Sequence, residues 1–154
     1  MRLIALTWLL GLLVLFIGAC ENDAVSPEQP EVTLFVDVTA EPAIFSAGES
    51  VTLTVLAENP TESRIVFGMG SSTCQLLSVV RFKDEDRGIS VSRVCTADMS
   101  PWSLDPGERI SESWVWTGEV VVDGVRQTLP LGTYELRGVA GDFIGSPISV
   151  EITN

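Results

Sequence analysis

Apolar residues recur at every second position over much of this chain, and that period limits what it can fold into. Val32, Leu34, Val36 and Val38 alternate with Thr33, Phe35 and Asp37, and Val51, Leu53, Val55 and Ala57 alternate with Thr52, Thr54, Leu56 and Glu58. Ile65-Val66-Phe67 marks a shorter segment, and Ile148, Val150 and Ile152 alternate with Ser149, Glu151 and Thr153. Successive side chains on a strand point to opposite faces, so each segment buries one face and wets the other. Turn residues separate the segments: Ala47-Gly48-Glu49, Glu58-Asn59-Pro60-Thr61, Asp105-Pro106-Gly107-Glu108 with Pro and Gly placed for a type II turn, and Asp123-Gly124 for a hairpin. Beyond the first 20 residues no long segment carries a helical stripe. The pattern predicts an all-β fold, an immunoglobulin-like antiparallel β-sandwich of about seven to nine strands, with a closed barrel as the alternative.

The N-terminus obeys a different rule. Arg2 is followed by an uncharged run from Leu3 to Ala19 and then Cys20. A basic start, an apolar middle and small residues before a cleavage point make an export signal. Ile17-Gly18-Ala19-Cys20 resembles the bacterial lipobox, in which an aliphatic residue and two small ones precede a cysteine whose thiol takes the lipid. The expectation is a lipoprotein signal peptide over 1–19, lipid attachment at Cys20, a Pro-containing polar tether over 20–31, and a folded domain over 32–154. Acyl chains on Cys20 would hold the protein to a membrane of the cell envelope, with the membrane and leaflet left open.

Composition then excludes several functions. Loss of the signal leaves eight Lys and Arg residues against 21 Asp and Glu, a formal charge of −13. Nucleic acid and anionic headgroups both need basic patches, so neither is an expected partner. The chain has no histidine, which removes Ser-His-Asp and Cys-His catalysis and His-ligated metals. Glycosidase chemistry needs two carboxyls at a set spacing in a cleft, and nothing marks such a pair. The expectation is a non-enzyme without cofactor. Asp84-Glu85-Asp86-Arg87-Gly88 is the densest acidic stretch, but its spacing does not match a calcium loop, so it reads as a solvated hairpin tip with no metal.

With Cys20 acylated, Cys74 and Cys95 remain as a pair in an exported chain, where oxidation is expected. Strands over 74–82 and 87–95 around Lys83-Asp84-Glu85-Asp86 put Val80 opposite Ile89, Ser78 opposite Val91 and Cys74 opposite Cys95. That register also gathers Cys74, Leu76, Val80, Phe82, Ile89, Val91 and Cys95 on one face, and a one-residue slip would break both patterns. A Cys74–Cys95 disulfide is predicted, worth about 3 kcal/mol in the chain-entropy description.

Among the aromatics, Trp114 and Trp116 share one strand face with Ile110 and read as core. Trp102, in the irregular Ser100-Pro101-Trp102-Ser103 segment, is the candidate for an exposed binding side chain. Tyr134, after Gly132-Thr133, matches a tyrosine corner whose hydroxyl bonds to backbone upstream.

Taken in order, the Asn59-Pro60-Thr61 turn, Ile65-Val66-Phe67, the hairpin, Leu104-Asp105-Pro106-Gly107-Glu108, a strand with Trp114, and Pro130-Leu131-Gly132-Thr133-Tyr134 resemble the BsuPI-like intracellular proteinase inhibitor domain. The likeness covers about residues 32–153. It implies a β-sandwich that binds a serine proteinase, although the export signal, the anchor and the disulfide place this chain away from an intracellular target. The functional expectation is a membrane-anchored lipoprotein with a non-catalytic protein-binding domain, proteinase-inhibitor-like, whose partner is an envelope protein or a proteinase. The alternatives are a structural or assembly domain of the envelope that adds a partner strand at a sheet edge, and a carbohydrate-binding or hydrolytic domain resting on Trp102 and the carboxylates.

Overall fold

Alternation becomes burial wherever the sequence carries it. Val51, Leu53, Val55 and Ala57 are all buried, as are Leu34, Val36, Val38 and Ala40, while the residues between them are exposed or half-buried. The computed structural model describes residues 33–81 and 88–154. The signal segment, Cys20, the tether, Val32 and the hairpin tip with its acidic stretch over 82–87 lie outside the described residues.

Among the described residues there are thirteen strands and no helix. They are β1 (Phe35–Glu41), β2 (Ile44–Ser46), β3 (Val51–Glu58), β4 (Ile65–Gly70), β5 (Leu77–Arg81), β6 (Gly88–Ser90), β7 (Ser100–Leu104), β8 (Arg109–Trp116), β9 (Glu119–Val122), β10 (Val125–Thr128), β11 (Gly132–Ala140), β12 (Phe143–Ile144) and β13 (Ile148–Thr153). Most of the excess over the expected seven to nine comes from β2, β6 and β12, pieces of three, three and two residues. Such pieces are too short to display a period.

One sheet runs β1-β3-β8 and a second runs β2-β13-β11-β5-β6, with β12 also on β11. The pairings are antiparallel except that of β2 with β13. A bridge between Val91 and Val120 attaches the β9–β10 hairpin beside β6, and β4 pairs with β7. Val38, Leu53 and Val55 from the first sheet meet Val80, Leu136 and Val150 from the second in one core. Each such side chain, fully buried, contributes about 1.5–3 kcal/mol.

The local expectations hold where the described residues test them. Val80 lies opposite Ile89, the Val91 amide donates to Ser78 O at 2.9 Å, and Cys74 and Cys95 form a disulfide with Cα atoms 5.7 Å apart. Regular pairing is shorter than expected, ending after Ser90, because Val91 and Ser92 turn to β9, where Val91 bridges Val120 and the Ser92 amide donates to Glu119 O at 3.2 Å. Gly107 has φ +72°, as a type II turn requires, and Asp123 and Gly124 have φ 50° and 78°, a type I′ hairpin. Trp116 is core, 2% exposed, with its ring edge-on to Phe45 at 5.6 Å.

The Tyr134 hydroxyl donates to Pro130 O at 2.6 Å, which is the corner the sequence suggested. Burial pushes its pKa up. Tyr134→Phe removes one buried hydrogen bond and is expected to destabilise by about 1–2 kcal/mol. An unchanged melting temperature would show that the bond carries no stability.

Candidate functional site

The inward face of β8 is not uniformly apolar. Ile110, Glu112, Trp114 and Trp116 share it, so a carboxylate sits between an isoleucine and two indoles. A charge on a buried face needs a partner, and Arg93 supplies it. Arg93 Nη1 donates to Glu112 Oε2 at 2.6 Å, with side-chain exposures of 13% and 18%. The same guanidinium donates to Leu76 O at 2.6 Å and Thr73 O at 2.7 Å and stands 4.4 Å from the centre of the Trp114 ring. Glu112 in turn accepts from the Gln75 and Leu76 amides at 3.2 and 3.3 Å. The cluster thus ties the segment around Cys74, the segment before Cys95 and β8 to one another.

Beside this cluster lies a cavity of about 480 Å³, within the usual range for ligand clefts. Arg93 and Val94 form one wall, Trp114 to Thr117 another, and Glu119 and Arg126 a third. Val94 is 82% and Val115 66% exposed at its rim. The Trp114 Nε1 hydrogen is buried and has no acceptor among the described residues, unlike that of Trp116, which donates to Glu119 O at 2.7 Å. The lining mixes the ion-paired cations Arg93 and Arg126 with the Glu119 carboxylate and the hydroxyls of Thr73, Ser92 and Thr117.

Trp102 has another surrounding. It is half-buried, its ring lies over Gly68 and Gly70, and its Nε1 donates to Ser71 O at 3.1 Å. A Cβ at either glycine would come within 2.5 Å of the ring, so glycine is what lets the indole lie flat on β4. Phe67 packs beside it at 6.2 Å. One face of this ring is therefore spent on the fold, and Trp102 does not join Trp114 in lining the cleft.

Around the disulfide, Cys74 is buried and Cys95 exposed. Ser71, Thr73 and Thr96 share hydroxyl hydrogen bonds there. The Thr96 hydroxyl, then Ser72, holds the Asp98 carboxyl down at about 2. No group of three or more His, Cys, Asp or Glu that could hold a metal occurs among the described residues, and no helix among them is long and apolar enough to cross a membrane.

Sequence reasoning placed Trp114 in a core stripe and missed Arg93 and Glu112. The signal was present: Glu112 occupies the inward phase of β8, which calls for a buried counter-charge.

No protein-family profile matches the chain, and no curated protein sequence matches it. Solved structures resemble it in fold at low identity. The alkylpurine DNA glycosylase AlkC of Pseudomonas fluorescens, bound to DNA containing an abasic site analog, aligns at 12% identity and TM-score 0.51 over 80% of this chain and 31% of that one. A β-glucosidase from Listeria innocua in complex with glucose aligns at 11% identity and TM-score 0.46, over 79% of this chain and 16% of the enzyme. The CARDB domain of a Pyrococcus furiosus protein, in complex with di-metal ions, aligns at 11% and 0.47 over 78% and 92%. This chain thus spans less than a third of the glycosylase and of the glucosidase. The likeness to AlkC extends to the all-β fold alone.

Proposed function

We propose that this chain is an exported lipoprotein, cut before Cys20 and acylated there, whose β-sandwich is a non-catalytic domain that binds a protein partner at the cell envelope. The observation that carries the binding role is the cleft beside Trp114, a formed concavity whose rim exposes Val94 and Val115. Exposed apolar residues around a concave site are what a protein ligand covers. The lipobox residues Ile17-Gly18-Ala19-Cys20 support the anchor, and a disulfide between the two remaining cysteines suits an oxidising compartment.

The proteinase-inhibitor-like form of this reading draws on the ordered turns that the chain shares with the BsuPI-like domain. It is tested by inhibition assays against serine proteinases, where no inhibition at micromolar protein would discard it and leave the binding role. The anchor has its own test. Cells fed an alkyne-tagged palmitate analogue are expected to label the wild-type chain and not Cys20→Ser, which should also stay uncut. Label retained on Cys20→Ser would remove the lipoprotein assignment.

A further inference from the structure

From Ser92 to Met99 the chain belongs to no strand, and it is held differently along its length. Near the start, Arg93 is clamped from within the fold by Glu112, Leu76 O and Thr73 O. Just past the end, Ser100 pairs with Gly70. Between these two pins residues 94–99 form a strap that is exposed throughout, Val94 at 82% and Met99 at 71%. The sandwich core includes none of them, but Val94 lines the cleft.

Two kinds of tie fix the strap to the segment before β5. Hydrogen bonds run through side chains near the surface. The Thr96 amide donates to Thr73 Oγ1 at 3.0 Å, the Ser72 amide donates to Asp98 Oδ2 at 3.1 Å, and the Ser71 and Thr96 hydroxyls share a bond at 2.9 Å. Thr73, Thr96 and Asp98 are exposed, so water competes for each of these bonds and each holds weakly. The other tie is covalent. Cys95, exposed in the strap, is bonded to Cys74, which is buried. Among the described residues this disulfide is the one tie on the strap that water cannot replace.

We propose that the Cys74–Cys95 disulfide is a redox-sensitive latch on this strap, whose reduction releases residues 94–99 and frees Val94 at the cleft while the sandwich stays folded. The reductant is a dithiol, entering at the exposed Cys95. The S–S bond breaks and the dithiol closes to its own disulfide. Its two electrons and two protons pass to Cys74 and Cys95, which become thiols. The latch works whatever the cleft binds, so it goes beyond the protein-binding reading. The test follows amide exchange residue by residue by NMR on the full chain in detergent, before and after excess dithiothreitol without denaturant. Mass spectrometry after iodoacetamide identifies the thiols released. Reduction is expected to label Cys74 and Cys95 and to speed exchange at least tenfold at Ser72 and Thr96, whose amides the strap's side-chain bonds protect. The Gln75 and Leu76 amides, held by Glu112, and the amides of β3 and β11 should keep their rates. A pair that stays oxidised until denaturant is added would overturn the redox step. Unchanged exchange at Ser72 and Thr96 in the reduced protein would show that the side-chain bonds suffice, and would overturn the latch. Faster exchange throughout β3 and β11 would make the disulfide a staple of the whole fold, which overturns it as well.

Discussion

Replacing Asn59 with alanine is expected to cost the domain about 3–4 kcal/mol, a large part of what holds a domain of this size folded. Asn59 is completely buried, and its amide is fully used. Nδ2 donates to Ser63 O at 2.8 Å, to Leu104 O at 3.0 Å and to Asp105 O at 3.2 Å. Oδ1 accepts from the Thr61 amide at 3.0 Å and the Thr61 hydroxyl at 2.7 Å. The backbone repeats the attachment: the Asn59 amide donates to Glu108 O, and the Gly107 amide donates to Asn59 O, both at 2.9 Å. One side chain thus joins the corner after β3 to the turn before β8. Alanine would leave a buried amide and several carbonyls unpaired while keeping the backbone bonds. The urea midpoint should fall with the slope unchanged. A loss below about 1 kcal/mol would mean that water enters and replaces the amide, and the clamp would then carry little of the fold's stability.

This clamp also shows where the sequence stops being readable. Alternation in β1, β3 and β13 was legible because one strand's burial depends on its own residues. The register around Val80 and Ile89 was legible too, since pairing the two cysteines and gathering the apolar face are separate demands with a single solution. Asn59 read only as a turn residue before Pro60. Its second attachment, to Leu104 and Asp105, lies 45 and 46 residues away, and no local pattern encodes that reach. Trp102 was harder again. Its irregular flanks suggested exposure, and only the apposition of Gly68 and Gly70 across the β4–β7 pair shows how the ring is seated. The cleft drew residues from four places in the chain, so no segment could announce it.

Arg93→Met should be comparably damaging, at about 3–5 kcal/mol, because it strips the partner from a carboxylate held inside the fold. Glu112 would keep the Gln75 and Leu76 amides as donors but lose the cation, and Leu76 O and Thr73 O would lose theirs. Adding Glu112→Gln is then expected to recover part of the stability, since the neutral amide oxygen can still accept from one of those backbone N–H groups and no uncompensated charge stays buried. The double variant should be less destabilised than the two single losses summed by about 1–3 kcal/mol, read from urea unfolding of the four proteins. Additive losses would show that Arg93 and Glu112 act independently despite their 2.6 Å separation. The sign of this coupling bears on binding. Arg93 also stacks on Trp114, so a tightly coupled pair fixes the indole wall of the cleft before anything enters it. A ligand then meets a wall already ordered, and less of its interaction energy goes into immobilising side chains. A wall held this way should lose its shape when Arg93 is changed, which makes Arg93 a residue that holds the site in place.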